Sequence, residues 1–95
     1  MSMSETWWVY LIVCRNGSIY TGIAKDVEAR FRQHVAGKGA RYTRMHPPLA
    51  LLARRQYPSR REAAQAEWFV KGLSPREKRE WAVSHRDGAY CDSCR

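Results

Sequence analysis

The sequence predicts a single α/β (α+β) domain in which a small three-stranded antiparallel sheet is flanked by helices, in the order ββαβαα. Three observations carry this prediction. The 95 residues suffice for one domain. An apolar run near the start is followed by a hairpin signal, and several later segments carry helix caps. We expect residues 7–83 to form the domain, residues 1–6 a flexible N-terminus and residues 84–95 a disordered tail.

The first two predicted strands form a hairpin. Trp7 to Cys14 is apolar, aromatic and β-branched, which is typical of a central strand buried on both faces. Asn16 and Gly17 tolerate positive φ and indicate a tight turn. Residues 18–23 then return as the second strand, with Tyr20 and Gly22 on one face because side chains alternate.

A helix is predicted over residues 27–35, with Asp26 as its N-cap. Its apolar residues recur every four positions and indicate an amphipathic stripe: Val27, Phe31 and Val35. Arg30 and His34 have the same spacing, about 100° round the helix from that stripe, so we expect both to point to one edge of the sheet.

The second half of the chain supplies the remaining elements. Residues 37–44 indicate a basic loop with flexible glycines, and residues 49–57 a third strand. Ser59 and Glu62 have capping-box spacing for a helix over residues 60–71, which Gly72 ends. Ser74 and Pro75 begin the last helix, which reaches about Val83.

The formal net charge of +8 favours an anionic partner, most commonly nucleic acid. The alternative is a basic surface that serves solubility. No apolar run is long enough to cross a bilayer, so no membrane partner is expected. The first residues are polar and do not resemble a signal peptide, which makes a cytoplasmic location the expectation.

Cysteine usage indicates no metal or disulfide framework. Cys14 ends an apolar strand and is expected to pack as a small hydrophobe. Cys91 and Cys94 form a lone CxxC near the chain end, for which only His85 offers a nearby third zinc ligand. We interpret this tail as structurally unimportant.

Several of these residues together resemble the pattern of the GIY-YIG nuclease superfamily. The matching positions are Val9-Tyr10-Leu11, Tyr20-Thr21-Gly22, Arg30, His34 and Glu67. The resemblance covers about residues 7–83 and is greatest to the short stand-alone bacterial, YhbQ-like group. Residues 37–43 resemble that group's loop, and residues 67–78 its two closing helices. One departure is Ile23, where some relatives have lysine; Lys25 follows two residues later.

The resemblance implies a metal-dependent endonuclease that hydrolyses DNA phosphodiester bonds, in repair or recombination. It implies a single divalent metal, Mg²⁺ or Mn²⁺, held by Glu67, and an Arg30 that grips the scissile phosphate. Tyr10 is expected to take a proton from the attacking water while Tyr20 orients it. Because a phenol has an ordinary pKa of about 10, it needs help to ionise, and His34 is one candidate.

A nucleic-acid surface is expected around the basic loop. The residues assigned to it are Lys25, Lys38, Arg41, Tyr42 and Arg44. Each candidate also has a structural interpretation: the tyrosines as ordinary strand residues, and Glu67 as a surface ion pair with Lys71. At the level of function, the alternatives are a non-catalytic nucleic-acid-binding module with this fold and a cleavage domain that depends on a protein partner for targeting.

Overall fold

The computed structural model describes residues 6–84 and contains one antiparallel sheet. Its strands are β1, Trp7–Cys14, β2, Ile19–Ala24, and β3, Pro48–Tyr57, in the spatial order β2-β1-β3. Residues 9–12 of β1 are all fully buried, so the prediction of a central strand covered on both faces is confirmed. Among residues 6–84 only β1 pairs with β2, so the other edge of β2 is free of strands from this part of the chain.

The hairpin register determines which side chains meet. Gly17 has a φ of 88°, as the predicted turn requires. Tyr10 pairs with Gly22, and Ile12 with Tyr20, so these side chains share one face of the sheet. On the other side of β1, the register with β3 shifts after Leu11, which leaves both Leu52 and Ala53 packed on the opposite face.

In the part of the chain that the structure describes, four helices surround the sheet, one more than predicted. They are α1, Val27–Val35, α2, Arg41–Met45, α3, Arg60–Lys71, and α4, Pro75–Ser84. The predicted loop over residues 37–44 was wrong in part, since α2 begins at Arg41. The last helix, predicted to reach about Val83, ends at Ser84.

The predicted caps form as expected. The Asp26 carboxylate accepts a hydrogen bond from the Ala29 N–H, and the Ser59 hydroxyl accepts one from the Glu62 N–H. At the start of α4 the capping box is reciprocal: the Ser74 N–H donates to the Glu77 carboxylate at 2.8 Å, and the Glu77 N–H donates to Ser74 Oγ at 3.1 Å. These bonds fix where α3 and α4 begin.

Two apolar clusters lie on opposite faces of the sheet. The first joins Tyr10 and Ile12 to Val27 of α1, and the second joins Leu11 and Ala53 to Val70 of α3. The predicted stripe on α1 was wrong at Val35, which is exposed. His34, one residue earlier, is buried instead, because α1 directs the imidazole inward to the hydrogen-bonding groups described below.

Cys14 is buried, as predicted for a small hydrophobe. None of the helices formed within residues 6–84 combines the length and apolar character needed to cross a membrane. The predicted flexible N-terminus and tail, with Cys91 and Cys94, lie outside the described residues, apart from positions 6 and 84.

Candidate active site

The site begins with the close approach of Tyr10 to β2. Its pairing with Gly22 places a residue without a side chain beside the phenol. A Cβ at Gly22 would lie 2.5 Å from Tyr10 Oη, which no side chain tolerates without displacement. Gly22 therefore provides the space through which the phenol crosses the neighbouring strand.

His34 connects this phenol to the segment that follows α1. The imidazole is 1% exposed, and its Nε2 lies 2.9 Å from Tyr10 Oη. Its Nδ1 lies 2.7 Å from Thr43 Oγ1, and the Thr43 hydroxyl donates to the Ala40 carbonyl oxygen at 2.9 Å. A Cβ at Gly39 would overlap the imidazole ring, so this position also requires glycine. Four buried or half-buried groups thus form one hydrogen-bonded chain.

The bond directions assign the histidine tautomer. The single Thr43 hydroxyl hydrogen is donated to Ala40, so His34 Nδ1–H donates to Thr43 Oγ1. Nε2 is then the acceptor, and the Tyr10 hydroxyl donates to it. The Ala40 N–H approaches Nδ1 at 3.4 Å, beyond the usual hydrogen-bond range, and does not outweigh this assignment.

The surroundings keep both groups neutral. Burial, with a smaller contribution from the neighbouring Arg30 charge, lowers the pKa of His34 to about 4. The pKa of Tyr10 is raised to about 12, chiefly by burial and also by the neighbouring Tyr20 and Glu67, while Arg30 opposes the rise. Because Arg30 and Glu67 both influence Tyr10 electrostatically, the structure brings the predicted catalytic residues to one place.

Tyr20 forms the side of this cluster nearest the edge of the sheet. Its ring centroid lies 6.3 Å from that of Tyr10 and 5.2 Å from that of His34. Its ring also stacks on Tyr42 of α2 at 6.0 Å, and Tyr42 in turn contacts His46 at 4.9 Å. Tyr42, predicted as part of a nucleic-acid surface, is thus a direct neighbour of the catalytic candidates.

Arg30 lies on α1 beside the phenol and is half-buried. Its Nη1 donates to the neutral Gln33 Oε1 at 2.7 Å. No carboxylate within residues 6–84 pairs with it, so most of its charge is available to an anion.

Glu67 projects from α3 with its side chain 21% exposed. The surface pair considered from the sequence does form, since Glu67 Oε2 lies 3.2 Å from Lys71 Nζ. Among the described residues, no group of three or more histidine, cysteine, aspartate or glutamate side chains could hold a metal ion. A metal here would have one carboxylate ligand and take the rest of its coordination from water, a donor set that suits Mg²⁺ or Mn²⁺ and not Zn²⁺.

The other predicted nucleic-acid contacts are all exposed. Lys38 lies between α1 and α2, and Arg41 and Arg44 lie one turn apart on α2. Lys25 lies instead at the end of β2, with its Nζ 5.6 Å from the centre of the Trp7 ring. Lys25 therefore lies on a different part of the surface from Arg41 and Arg44.

Sequence reasoning missed Thr43 as a site residue. Its signal was the stretch from Gly39 to Thr43, which the sequence singled out only as a basic loop. A threonine there becomes informative once its contact with His34, nine residues earlier, is known.

Comparison with known proteins identifies the family of this chain. The model of the GIY-YIG catalytic domain matches residues 6–80. A UPF0213 protein of Xanthomonas campestris pv. campestris (strain 8004) is 48% identical over 81 residues, covering 85% of this chain and 79% of that protein. A UPF0213 protein of Cupriavidus pinatubonensis is 50% identical over 78 residues, covering 82% and 87%.

Two solution NMR structures have the same architecture. The UPF0213 protein BH0048 from Bacillus halodurans is 45% identical, covers 84% of each chain and has a TM-score of 0.51. The protein EF2693 from E. faecalis is 29% identical, covers 88% of this chain and 90% of its own, and has a TM-score of 0.59. These likenesses confirm the predicted fold. With its catalytic-domain match and its short UPF0213 relatives, the chain belongs to the GIY-YIG family.

Proposed function

We propose that this protein is a metal-dependent endonuclease that hydrolyses phosphodiester bonds in DNA. The observation that carries the proposal is the buried hydrogen bond of 2.9 Å between Tyr10 and His34, with the charges of Arg30 and Glu67 close to it. Family membership supports nuclease activity on nucleic acid. The choice of DNA and the individual roles below are our inferences.

Tyr10 and His34 together provide a path for a proton. The phenol is protonated at neutral pH, because its pKa is about 12. It acts as a base only if its own proton moves to an acceptor as it receives one from water, and His34 Nε2 is that acceptor at 2.9 Å. Thr43 holds His34 in the tautomer that leaves Nε2 free to accept. We retain Tyr10 as the base and Tyr20 as the residue that orients the water.

Arg30 binds the phosphate whose bond is cleaved. A guanidinium stays charged and can bind two phosphate oxygens at once. Here it is half-buried and lacks a carboxylate partner among residues 6–84. A phosphate bound to it lies within electrostatic range of both Tyr10 and His34, as the pKa values of these two groups indicate.

Glu67 is the residue that would hold the divalent metal, Mg²⁺ or Mn²⁺. When bound, the metal supplies positive charge that stabilises the phosphate and the leaving oxygen. The partly exposed carboxylate fits this role, because it is accessible to solvent while its charge reaches Tyr10. Lys71 neutralises the carboxylate while the metal is absent.

The alternative function is that of a non-catalytic nucleic-acid-binding module that keeps the GIY-YIG fold. It is favoured by the same pKa values, since a phenol near 12 and an imidazole near 4 are both poor bases. A role in DNA repair or recombination, dependence on a protein partner and a cytoplasmic location stay predictions from the sequence.

A cleavage assay separates these functions. Wild type and Glu67→Gln are compared on branched, nicked, single-stranded and duplex DNA with Mg²⁺, Mn²⁺ or EDTA. The control is Glu80→Gln, which removes the same charge from an exposed glutamate paired with Arg76. We expect cleavage by wild type and by the control, with none by Glu67→Gln or in EDTA. Tight binding without cleavage by wild type supports the binding module, and cleavage by Glu67→Gln contradicts the metal role.

A further inference from the structure

A cavity of about 320 Å³ lies along the free edge of β2, next to the candidate active site. Tyr20 belongs to both, since its ring contacts Tyr10 and His34 and also lines the cavity. The lining residues come from both faces of the sheet: Ile19, Tyr20, Thr21, Tyr42, Lys71 and Lys78.

The charged side of the cavity is positive. Lys71, at the end of α3, is paired with Glu67, whereas Lys78, in α4, has no carboxylate partner within the described residues 6–84. Burial lowers the pKa of Lys78, and the nearby Lys71 adds to this effect. The two ammonium groups repel each other and only Lys71 has a carboxylate partner among the described residues, so an anion in the cavity would relieve the repulsion.

The aromatic side of the cavity is formed by two tyrosines that stack on each other. The rings of Tyr20 and Tyr42 are stacked on each other with an interplanar angle of 20°. The Tyr20 ring also has the Tyr10 and His34 rings as neighbours, and the Tyr42 ring has His46, so the stacked faces of the two tyrosines are not available to a base. Thr21 also lines the cavity, and within residues 6–84 no group hydrogen-bonds its buried hydroxyl. The chemistry thus matches a small anion that accepts hydrogen bonds.

We propose that this cavity binds a phosphate group of the nucleic-acid strand next to the one being cleaved, with Lys78 as its main ligand and Lys71 as a shared one. This deepens the proposed function and rests on it for the identity of the substrate. Because Tyr20 separates the cavity from the catalytic cluster, a phosphate held here fixes the register of the strand across the active site.

Binding measured without cleavage tests the role of Lys78. Fluorescence anisotropy of a labelled single-stranded oligonucleotide is recorded in EDTA over a range of salt concentrations. We expect Lys78→Gln to weaken binding roughly threefold to tenfold at low salt and to reduce the slope of log K against log salt by about 0.7. The matched control is Arg76→Gln on the same helix, whose side chain is 89% exposed and paired with Glu80. Equal effects of the two substitutions overturn the proposal.

NMR titration with small phosphates locates the site and distinguishes an internal phosphate from a strand end. Dimethyl phosphate stands for the internal diester and methyl phosphate for the terminal monoester. We expect either one to shift the backbone amides of residues 19–21, 71 and 78 in the wild type and not in Lys78→Gln. Tighter binding of dimethyl phosphate indicates an internal phosphate of the strand, and tighter binding of methyl phosphate indicates a terminal one. No shift with either probe overturns the phosphate site.

The two proposals fail separately. Cleavage by wild type together with equal binding by Lys78→Gln and Arg76→Gln overturns the cavity and leaves the nuclease intact. Binding that depends on Lys78, without any cleavage by wild type, overturns the nuclease and leaves a phosphate-binding module.

Discussion

The buried His34 makes the stability of this protein sensitive to acid in a defined pH range. In the unfolded chain the imidazole takes up a proton near its ordinary pKa of 6.5, whereas in the folded protein it does so only near pH 4. The stabilisation is therefore fully present above pH 6.5 and is lost as the pH falls toward 4. At about 1.4 kcal/mol per pKa unit, the whole range is worth about 3 kcal/mol, of which about 2 kcal/mol is lost between pH 7 and pH 5.

Urea unfolding followed by tryptophan fluorescence at pH 7, 6 and 5 measures this loss. For a small protein, the free energy of unfolding falls by about 1–2 kcal/mol per molar urea, so the midpoint should drop by roughly 1–2 M between pH 7 and pH 5. His34→Gln should remove most of this pH dependence whatever its effect on stability at pH 7. His46→Gln, at a half-exposed histidine bonded to Asn16, should keep it. Equal pH dependence in wild type and His34→Gln would refute the reasoning.

Three further substitutions test the candidate site. Thr43→Val keeps the shape of the side chain but removes the hydrogen bonds to His34 Nδ1–H and to the Ala40 carbonyl oxygen. We therefore expect the free energy of unfolding to fall by about 1–3 kcal/mol and kcat to fall with little change in KM. Thr43→Ser keeps the hydroxyl and should retain both the stability and the kcat of the wild type. An unchanged kcat in Thr43→Val would remove Thr43 from the proton path. Arg30→Ala should reduce turnover more than DNA binding, measured by single-turnover kinetics and anisotropy; equal losses would indicate simple anchoring of the phosphate. Replacing both Arg41 and Arg44 by glutamine should weaken DNA binding at low salt and flatten its salt dependence, and an unchanged salt slope would take α2 out of the interface.

Local signals predicted the regular elements well, since each is determined largely by its own residues. The apolar run from Trp7 to Cys14 has the length of a strand, and Asp26 and Ser59 cap helices whose bounds match the prediction. The short helix α2 was missed because its own residues carry no such local signal. Its five residues follow two glycines and precede two prolines, and its N-cap residue Ala40 makes no side-chain hydrogen bond.

The candidate site could be predicted only as a set of positions. Family order indicated Tyr10 and His34, but no periodicity in the sequence places an imidazole in the interior. On α1 the apolar stripe favoured Val35, and the structure buries His34 because Tyr10 and Thr43 satisfy both of its ring nitrogens. Such partners lie 24 and nine residues away, so only the fold reveals them.

The pKa values of Tyr10 and His34 oppose proton transfer between them in the free protein. In the proposed step the proton leaves Tyr10, whose pKa is about 12, and is accepted by His34, whose pKa is about 4. Because one pKa is raised and the other is lowered, this transfer is unfavourable before the attraction between the resulting charges is counted. Burial is the largest cause of both shifts, so the arrangement that stabilises the fold opposes the reaction. Charge brought by the substrate and the metal has to offset this cost.

Glu67 can therefore be assigned a role from the sign of its effect. Its charge raises the pKa of Tyr10, so Glu67→Gln by itself makes the phenol easier to ionise. If setting that pKa were the only function of Glu67, the substitution would leave cleavage unchanged or increase it. Loss of cleavage would mean that the carboxylate does something an amide cannot do, and holding a divalent cation is the role its exposure and position support. The direction of the change in Glu67→Gln thus separates an electrostatic role from metal binding.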